Sequence, residues 1–328
     1  MNSLDKLREA TEFLKRSGID DAVREAELIV AHCLGIERVT IYRDNPQILE
    51  EELTRIDGFL KRRSKREPLR YIVGYTEFYG LKIKVGPGVL IPRPETELLA
   101  EEAIKTVRSN QSFKQSSVIS HRSSVKINDQ CPVTNDQPTN SLLSILDLCT
   151  GSGCLALALA REFPDAHIYG TDTSEIAIGY AKENAEINGI KNVTFVRGNL
   201  FEPIEKVVTG HSSLLPAPFL VQGLIFDLIV SNPPYIKRDD IKNLQPEIRD
   251  WELVEALNGG TDGLDFYRAI IPAAHSYLKE GGCLILELGF EQAGVVSRIA
   301  EDAGFKEVSL IKDYAGIERI IKLRDSFG

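Results

Sequence analysis

Residues 145–160, ILDLCTGSGCLALALA, decide the fold. Ile145 to Leu148 form a near-continuous apolar run, the texture of a strand buried on both faces. Cys149, Thr150, Gly151, Ser152 and Gly153 then make a glycine-rich turn, and a run of small residues opens a helix. Glycine lets the backbone approach a ligand closely, and a helix N-terminus supplies unpaired N–H donors. This is a nucleotide-binding βα unit. Asp172 closes the next strand nineteen residues after Gly153. A carboxylate at that place can accept hydrogen bonds from both ribose hydroxyls of an adenosine.

Downstream, strand and helix patterns alternate. Strands read at 145–148, 167–171, 194–197, 226–231, 283–288, 307–310 and 319–322, and helices at 155–163, 175–188, 265–278 and 292–303. FDLIV at 226–230 repeats the apolar texture of ILDL, so the expected fold is α/β, Rossmann-like, with a mostly parallel seven-stranded sheet wrapped by helices. No internal repeat is present.

Upstream, residues 1–74 read as a small helical domain. Ala22, Ala26, Ile29, Val30 and Cys33 recur at helical spacing after a cap at Asp20, and Leu53, Ile56 and Leu60 continue the pattern on a later helix. That helix ends in the basic run Lys61, Arg62, Arg63, Lys65 and Arg66. A solvated face is its first explanation, and contact with an acidic partner or RNA its second. Residues 75–92 are rich in aromatic and β-branched residues broken by Gly and Pro. They predict a hairpin linker, with a helix opening at Glu95. The remainder, 93–328, forms the α/β domain. Its Ser-, Asn-, Gln- and Thr-rich stretch at 109–141 is expected to be a flexible insertion, and residues 209–222 a shorter loop.

The glycine turn alone leaves two classes open, because GSGCLA also fits a dinucleotide fingerprint ending in Ala. The strand at 226–231 decides between them. It delivers Asn232, Pro233, Pro234 and Tyr235 to the carboxyl end of the sheet, where ligands of doubly wound folds bind. Two consecutive prolines stop the strand and hold the backbone extended. They present the Pro233 carbonyl as a fixed acceptor beside the Asn232 side-chain oxygen, and Tyr235 adds a flat face. Such a site suits a planar –NH2 group whose lone pair is delocalised. Two acceptors favour the pyramidal, positively charged nitrogen that develops as a methyl group arrives, and in-line positioning supplies much of the rest. A hydride-transfer enzyme has no use for this constellation. No general base is evident in the sequence.

RYIVGYTEFYG (70–80), VLIPRPETE (89–97), DLCTGSGC (147–154), IVSNPPYI (229–236) and EALNGGTDGLDFYR (255–268) together resemble the peptide chain release factor glutamine N5-methyltransferases. The resemblance covers nearly everything outside the two polar segments. It implies a class I S-adenosylmethionine methyltransferase domain, and a helical domain at 1–74 that docks the release factor. The implied substrate is the side-chain amide nitrogen of the glutamine in a Gly-Gly-Gln motif that acts in peptidyl-tRNA hydrolysis. The implied cofactor is S-adenosylmethionine, leaving as S-adenosylhomocysteine, with no metal. Carried over by residue, Cys149 to Gly153 would line the methionine end of the cofactor and Asp172 would hold its ribose. Asn199 and Leu200 would sit beside the adenine, and Asn232 beside the cofactor as well. Asn232, Pro233, Pro234 and Tyr235 would grip the glutamine amide. The family's usual state is monomeric.

Three positions depart from the pattern. Cys149 stands where glycine is frequent, Asn199 where aspartate is common, and Leu253 in place of a proline. Arg93 and Glu95 suit either an ion pair fixing the turn or support of the cofactor pocket. GGTDGLDFYR reads first as a glycine turn and a helix start at Asp265.

Composition narrows the partners. A net charge of −9 disfavours gripping long nucleic acid, and no apolar run reaches the roughly 20 residues of a membrane span. The opening MNSLDKLREATEF mixes charges of both signs, so a cytoplasmic protein is expected. Cys33, Cys131, Cys149, Cys154 and Cys283 show no CxxC pair and are expected as free thiols, without a metal site. Methylation of a ribosomal-protein glutamine and of the adenine N6 group in DNA are the neighbouring chemistries. The second would need a basic recognition region that the polar insertions do not supply. A non-catalytic binding module would have lost Asn232 or the glycine turn, and both are present.

Overall fold

The chain opens with five helices: α1 (Ser3–Arg16), α2 (Ala22–Leu34), α3 (Arg38–Asp44), α4 (Glu50–Arg63) and α5 (Leu69–Val73). The computed structural model describes residues 1–122, 142–208 and 225–325. Ala22, Ala26, Ile29, Val30 and Cys33 are all buried, and they meet Leu7, Leu14, Ile41, Ile56 and Leu60 in one core. Burying a face of this kind is what makes short helices stable in a protein. The N-cap of α2 is Asp21, one residue later than expected, and its side chain makes no capping bond. These helices belong to one compact unit formed by residues 1–76, 84–91 and 240–254.

The basic run at the end of α4 is solvated in part, as expected, but not throughout. Arg63 is buried, and its Nε donates to Glu25. Its Nη2 donates to Glu25 at 3.1 Å and to Glu247 at 2.8 Å, and Nη1 to the Glu67 carbonyl at 3.3 Å. Arg62 pairs with Glu67, and Arg66 with Glu247. Lys61, Arg62 and Lys65 are exposed. Arg63 thus staples the unit from within, and with Arg66 it ties the end of α4 to Glu247, far along the chain.

The second unit comprises residues 77–83, 92–239 and 255–328. A hairpin of β1 (Tyr75–Phe78) and β2 (Leu81–Lys84) turns through Tyr79 and Gly80, both at positive φ, +48° and +70°. Two such residues make the tight turn whose twist matches paired strands. Then come α6 (Pro94–Arg122), β3 (Ser144–Leu148), α7 (Cys154–Glu162), β4 (His167–Asp172), α8 (Glu175–Ile187), β5 (Val193–Arg197), α9 (Glu202–Val208) and β6 (Phe226–Ser231). A single helical turn, α10 (Pro246–Arg249), lies in the first unit. The chain ends with α11 (Asp265–Ala274), β7 (Leu278–Glu287), α12 (Ala293–Asp302), β8 (Glu307–Lys312) and β9 (Glu318–Arg324).

The seven-stranded sheet has the order β5-β4-β3-β6-β7-β9-β8. Pairing is parallel from β5 through β7, and β9 runs antiparallel to both its neighbours. Strands β3, β4 and β5 step outward in one direction, and β6 returns to the other side of β3. The β3/β6 boundary is therefore the topological switch point, where such sheets bind ligands beyond their carboxyl ends.

Two elements differ from expectation. Helix α6 continues to Arg122, well into the stretch expected to be flexible from 109. A polar composition measures how little a segment can bury, whereas Gly and Pro end helices, and neither occurs between Glu95 and Arg122. The rest of that stretch, and the loop at 209–222, lie outside the described residues. Strand β7 begins at Leu278, where helix was expected, with a register irregularity against β6 around Phe226 and Leu228. Cys33, Cys154 and Cys283 are buried and Cys149 is partly so, all four free.

Candidate active site

The glycine turn is held by a buried acid inside the strand that precedes it. Asp147 is 1 % exposed and accepts from Thr150 Oγ1 at 2.6 Å and from the Ala156 N–H at 3.2 Å. Burial pushes its carboxyl up to about 7. Cys149, Gly151 and Gly153 all adopt positive φ, +57°, +57° and +78°. A Cβ on Gly153 would lie 2.9 Å from Ala181 Cβ and from Phe195 Cζ, so this glycine lets the turn sit against α8 and β5. A Cβ on Gly151 would meet nothing nearer than the Cys149 carbonyl at 4.0 Å, so the turn is open on that side. The Ser152 carbonyl accepts from the buried Asn184 Nδ2 at 2.9 Å.

Asp172, at the end of β4, accepts the Gly151 N–H at 3.0 Å on one oxygen and the Ser174 N–H at 2.9 Å on the other. Burial raises its carboxyl above the usual range, against the pull of these N–H bonds. Each oxygen still has a lone pair to offer. Beyond β5, Asn199 is exposed and Leu200 stands at φ +46°, its carbonyl accepting from Thr171 Oγ1 at 3.0 Å. The expected cofactor residues thus gather at the carboxyl ends of β3, β4 and β5.

The same edge continues at β6, where Ser231 Oγ donates to the Leu148 carbonyl at 2.7 Å. Pro233 and Pro234 are buried, and Asn232 and Tyr235 are partly exposed. The turn is clamped from two sides. Gln292 Nε2 donates to the carbonyls of Tyr235 at 2.9 Å and Gly263 at 3.2 Å, and its Oε1 accepts from the Gly289 N–H at 3.0 Å. A Cβ on Gly259 would fall 2.8 Å from the Pro234 carbonyl oxygen, and one on Gly263 2.5 Å from that of Tyr235. GGTDGLDFYR is indeed a turn with a helix start at Asp265. Its glycines are also where that loop presses on the Pro-Pro-Tyr backbone.

No general base is evident in the sequence, yet an acid is buried behind this turn. Glu287, at the end of β7, is 1 % exposed and accepts from Tyr235 Oη at 3.1 Å and Thr96 Oγ1 at 2.8 Å. Burial pushes its carboxyl up to about 7, with Glu95 adding to the rise and Arg319 opposing it. Thr96 Oγ1 in turn accepts from Asn232 Nδ2 at 3.0 Å. Burial, followed by the Glu287 charge, raises the Tyr235 phenol well above its ordinary value. The available signal was a single acid in the otherwise apolar run CLILEL at 283–288. Asp147 carried a similar mark within ILDL. Thr96 lay unremarked between Glu95 and Glu97 in the PRPETE block. Among the described residues no group of three potential metal ligands converges, and no helix is long and apolar enough to cross a membrane.

The switch-point crevice, the glycine turn and the Asn-Pro-Pro-Tyr turn define a Rossmann-like methyltransferase, and residues 139–311 match the family described as a methyltransferase domain. Residues 5–74 match the PrmC N-terminal domain. The chain is 41 % identical to the release factor glutamine methyltransferase of Thermodesulfovibrio yellowstonii, covering 99 % of both chains. It is 39 % identical to that of Geobacter sulfurreducens, over 94 % of this chain and 92 % of the relative. The chain belongs to the release factor glutamine methyltransferase family, as its motifs implied. A solved ribosomal protein L11 methylase from Lactobacillus delbrueckii aligns over 58 % of this chain and 73 % of its own. At 23 % identity and a TM-score of 0.37 that likeness adds nothing to the assignment.

Proposed function

We propose that the chain methylates the side-chain amide nitrogen, N5, of the glutamine in the Gly-Gly-Gln motif of peptide chain release factors. The observation that carries this is the Asn232–Tyr235 turn, fixed at the switch point next to the glycine turn. S-adenosylmethionine, when bound, supplies an electrophilic methyl group on a sulfonium. The residues present fit it. Gly151 leaves its side of the turn open, and Asp172 has acceptor capacity for ribose hydroxyls. Cys149 to Gly153 would hold the methionine end and Asn199 and Leu200 the adenine.

Asn232 Oδ1 and the Pro233 carbonyl each accept one N–H of the substrate amide. They orient its lone pair and stabilise the positive charge that grows on nitrogen. Pro234 keeps the backbone rigid, and Tyr235 provides a flat wall for the amide plane. Residues 1–74 dock the release factor, residues 75–92 link, and 93–328 carry the chemistry. The protein acts as a monomer in the cytoplasm, without a metal.

Mass spectrometry of release factors incubated with the protein and S-adenosylmethionine tests this. One added methyl group on the Gly-Gly-Gln glutamine is expected. Asn232→Ala should slow its appearance about 10²- to 10³-fold, the usual effect of removing one charge-stabilising partner. A methyl group on another residue, or none despite cofactor binding, overturns the proposal.

A further inference from the structure

Asn232 can serve an amide substrate only if its oxygen, not its nitrogen, faces that substrate. Both ends of a side-chain amide have the same shape, and its partners alone decide which way it lies. Here the partner is Thr96 Oγ1, 3.0 Å from Asn232 Nδ2. A threonine hydroxyl owns a single proton. That proton goes to Glu287 Oε2, 2.8 Å away, in a site where Thr96 is 3 % and Glu287 1 % exposed. Glu287's other oxygen takes the Tyr235 hydroxyl at 3.1 Å. While Glu287 is ionised, both its oxygens can only accept, so the direction of every bond in the chain is then set from Glu287 outward. Thr96 must donate to Glu287, only its lone pairs remain for Asn232, and Asn232 must turn its NH2 inward.

On the footing of the methyl-transfer function above, we propose that Thr96 and Glu287 form a positioning relay that fixes the Asn232 amide with its oxygen toward the substrate. With the relay broken, Asn232 can turn its NH2 toward a substrate N–H. Two donors then face each other and the nucleophile loses an acceptor. Neither Thr96 nor Glu287 touches the reacting atoms in this scheme. Tyr235 shares the same carboxylate, so the flat wall and the acceptor are set by one anchor.

The test is single-turnover methylation of an intact release factor by the full chain at saturating S-adenosylmethionine. Thr96→Val keeps shape but removes the hydroxyl, and should slow transfer about 10- to 100-fold, the range expected when a buried polar group loses its partner. KM for the release factor and Kd for S-adenosylmethionine should stay within about threefold. Thr96→Ser restores the hydroxyl and should recover most of the rate. Glu287→Met removes the acceptor that commits the Thr96 proton and should match Thr96→Val. It carries the test alone should Thr96→Val not fold. Combined with Thr96→Val it should cost little more than either change singly, because both act through one chain of bonds. Wild-type rate in Thr96→Val, equal loss in Thr96→Ser and Thr96→Val, or additive losses would each overturn the relay while leaving the function standing. A wild-type protein that transfers no methyl group to a release factor overturns both.

Discussion

The two compact units bury carboxylates in different company. In the helical unit, Glu27 would be raised by burial, but bonds from Tyr42 and Arg38 bring it below the usual carboxylate range. Burial likewise acts on Glu247 and is outweighed by Arg63 and Arg66. Lys6, 2 % exposed, is held charged by Asp57 at 2.6 Å and Glu9 at 2.9 Å against the pull of burial. In the sheet unit, the hydrogen-bond donors to Asp147 and Glu287 are neutral hydroxyls and an N–H, and both carboxyls rise to about 7. Opposite charge makes a buried acid inert, whereas neutral donors leave it poised near neutrality. Groups of the second kind concentrate at functional sites. Here they stand directly behind the two turns to which the chemistry is assigned.

The largest effect expected from breaking this contrast is in the helical unit. Arg63→Met would leave Glu25 without its guanidinium partner and Glu247 with Arg66 alone. Removing one partner of a buried ion pair costs about 3–5 kcal/mol, read as a lower midpoint in urea at pH 7. Glu247 has a depressed folded pKa, so its contribution is present above the unfolded pKa and lost as pH falls through the folded one. The penalty of Arg63→Met should therefore shrink at acidic pH. A constant penalty across pH would mean that packing of the Arg63 stem, not its charge, holds the unit.

The sheet unit should answer in the opposite sense. Glu287 rises from 4.5 to about 7, so its contribution is complete below pH 4.5 and disappears as pH climbs through about 7. At roughly 1.4 kcal/mol per unit the full swing is about 3 kcal/mol. Glu287→Gln cannot ionise. Its stability relative to the wild type should therefore increase by about that amount between pH 4.5 and pH 8. Asp147 titrates in both proteins and cancels in the difference. The groups acting on Glu287 are Thr96, Tyr235, Glu95 and Arg319. A flat difference would show that Glu287 is paired as firmly as the acids of the helical unit.

The same contrast explains what could be read in the chain before its structure. Strand texture such as ILDL and FDLIV records burial on two faces, so the sheet and its seven strands were legible. The glycine turn and Asn232–Tyr235 were legible too, because their backbone demands are written in Gly and Pro. Thr96 and Glu287 were not, because their meaning lies in contacts across 191 residues of chain, which no local pattern encodes. Arg63 was misjudged for a related reason. A basic run looks the same whether it faces water or a carboxylate 184 residues away.

The smallest expected effect concerns a residue between these extremes, where sequence signalled trouble and structure located it. Cys149 departs from the glycine that the resemblance led one to expect, and its φ of +57° is the left-handed conformation that favours glycine. Holding an L-residue there costs about 1–2 kcal/mol, while glycine costs about 0.5–1 kcal/mol of extra unfolded-state freedom. The two nearly cancel, so Cys149→Gly should be at least as stable as the wild type, by a margin under about 1 kcal/mol. Cys149→Ala keeps the strain and loses the Sγ, and should fall about 1 kcal/mol below Cys149→Gly in thermal or urea unfolding. An alanine variant that equals or exceeds the glycine variant would mean that the turn relaxes around its side chain. Cys149 would then be retained for packing beside Asp147 and Asp172, whose charges, after burial itself, raise its thiol far above its ordinary value. In either case its sulfur is a neutral, partly buried thiol within an acidic turn, not a nucleophile, and belongs with the polar groups that the sheet unit holds without a countercharge.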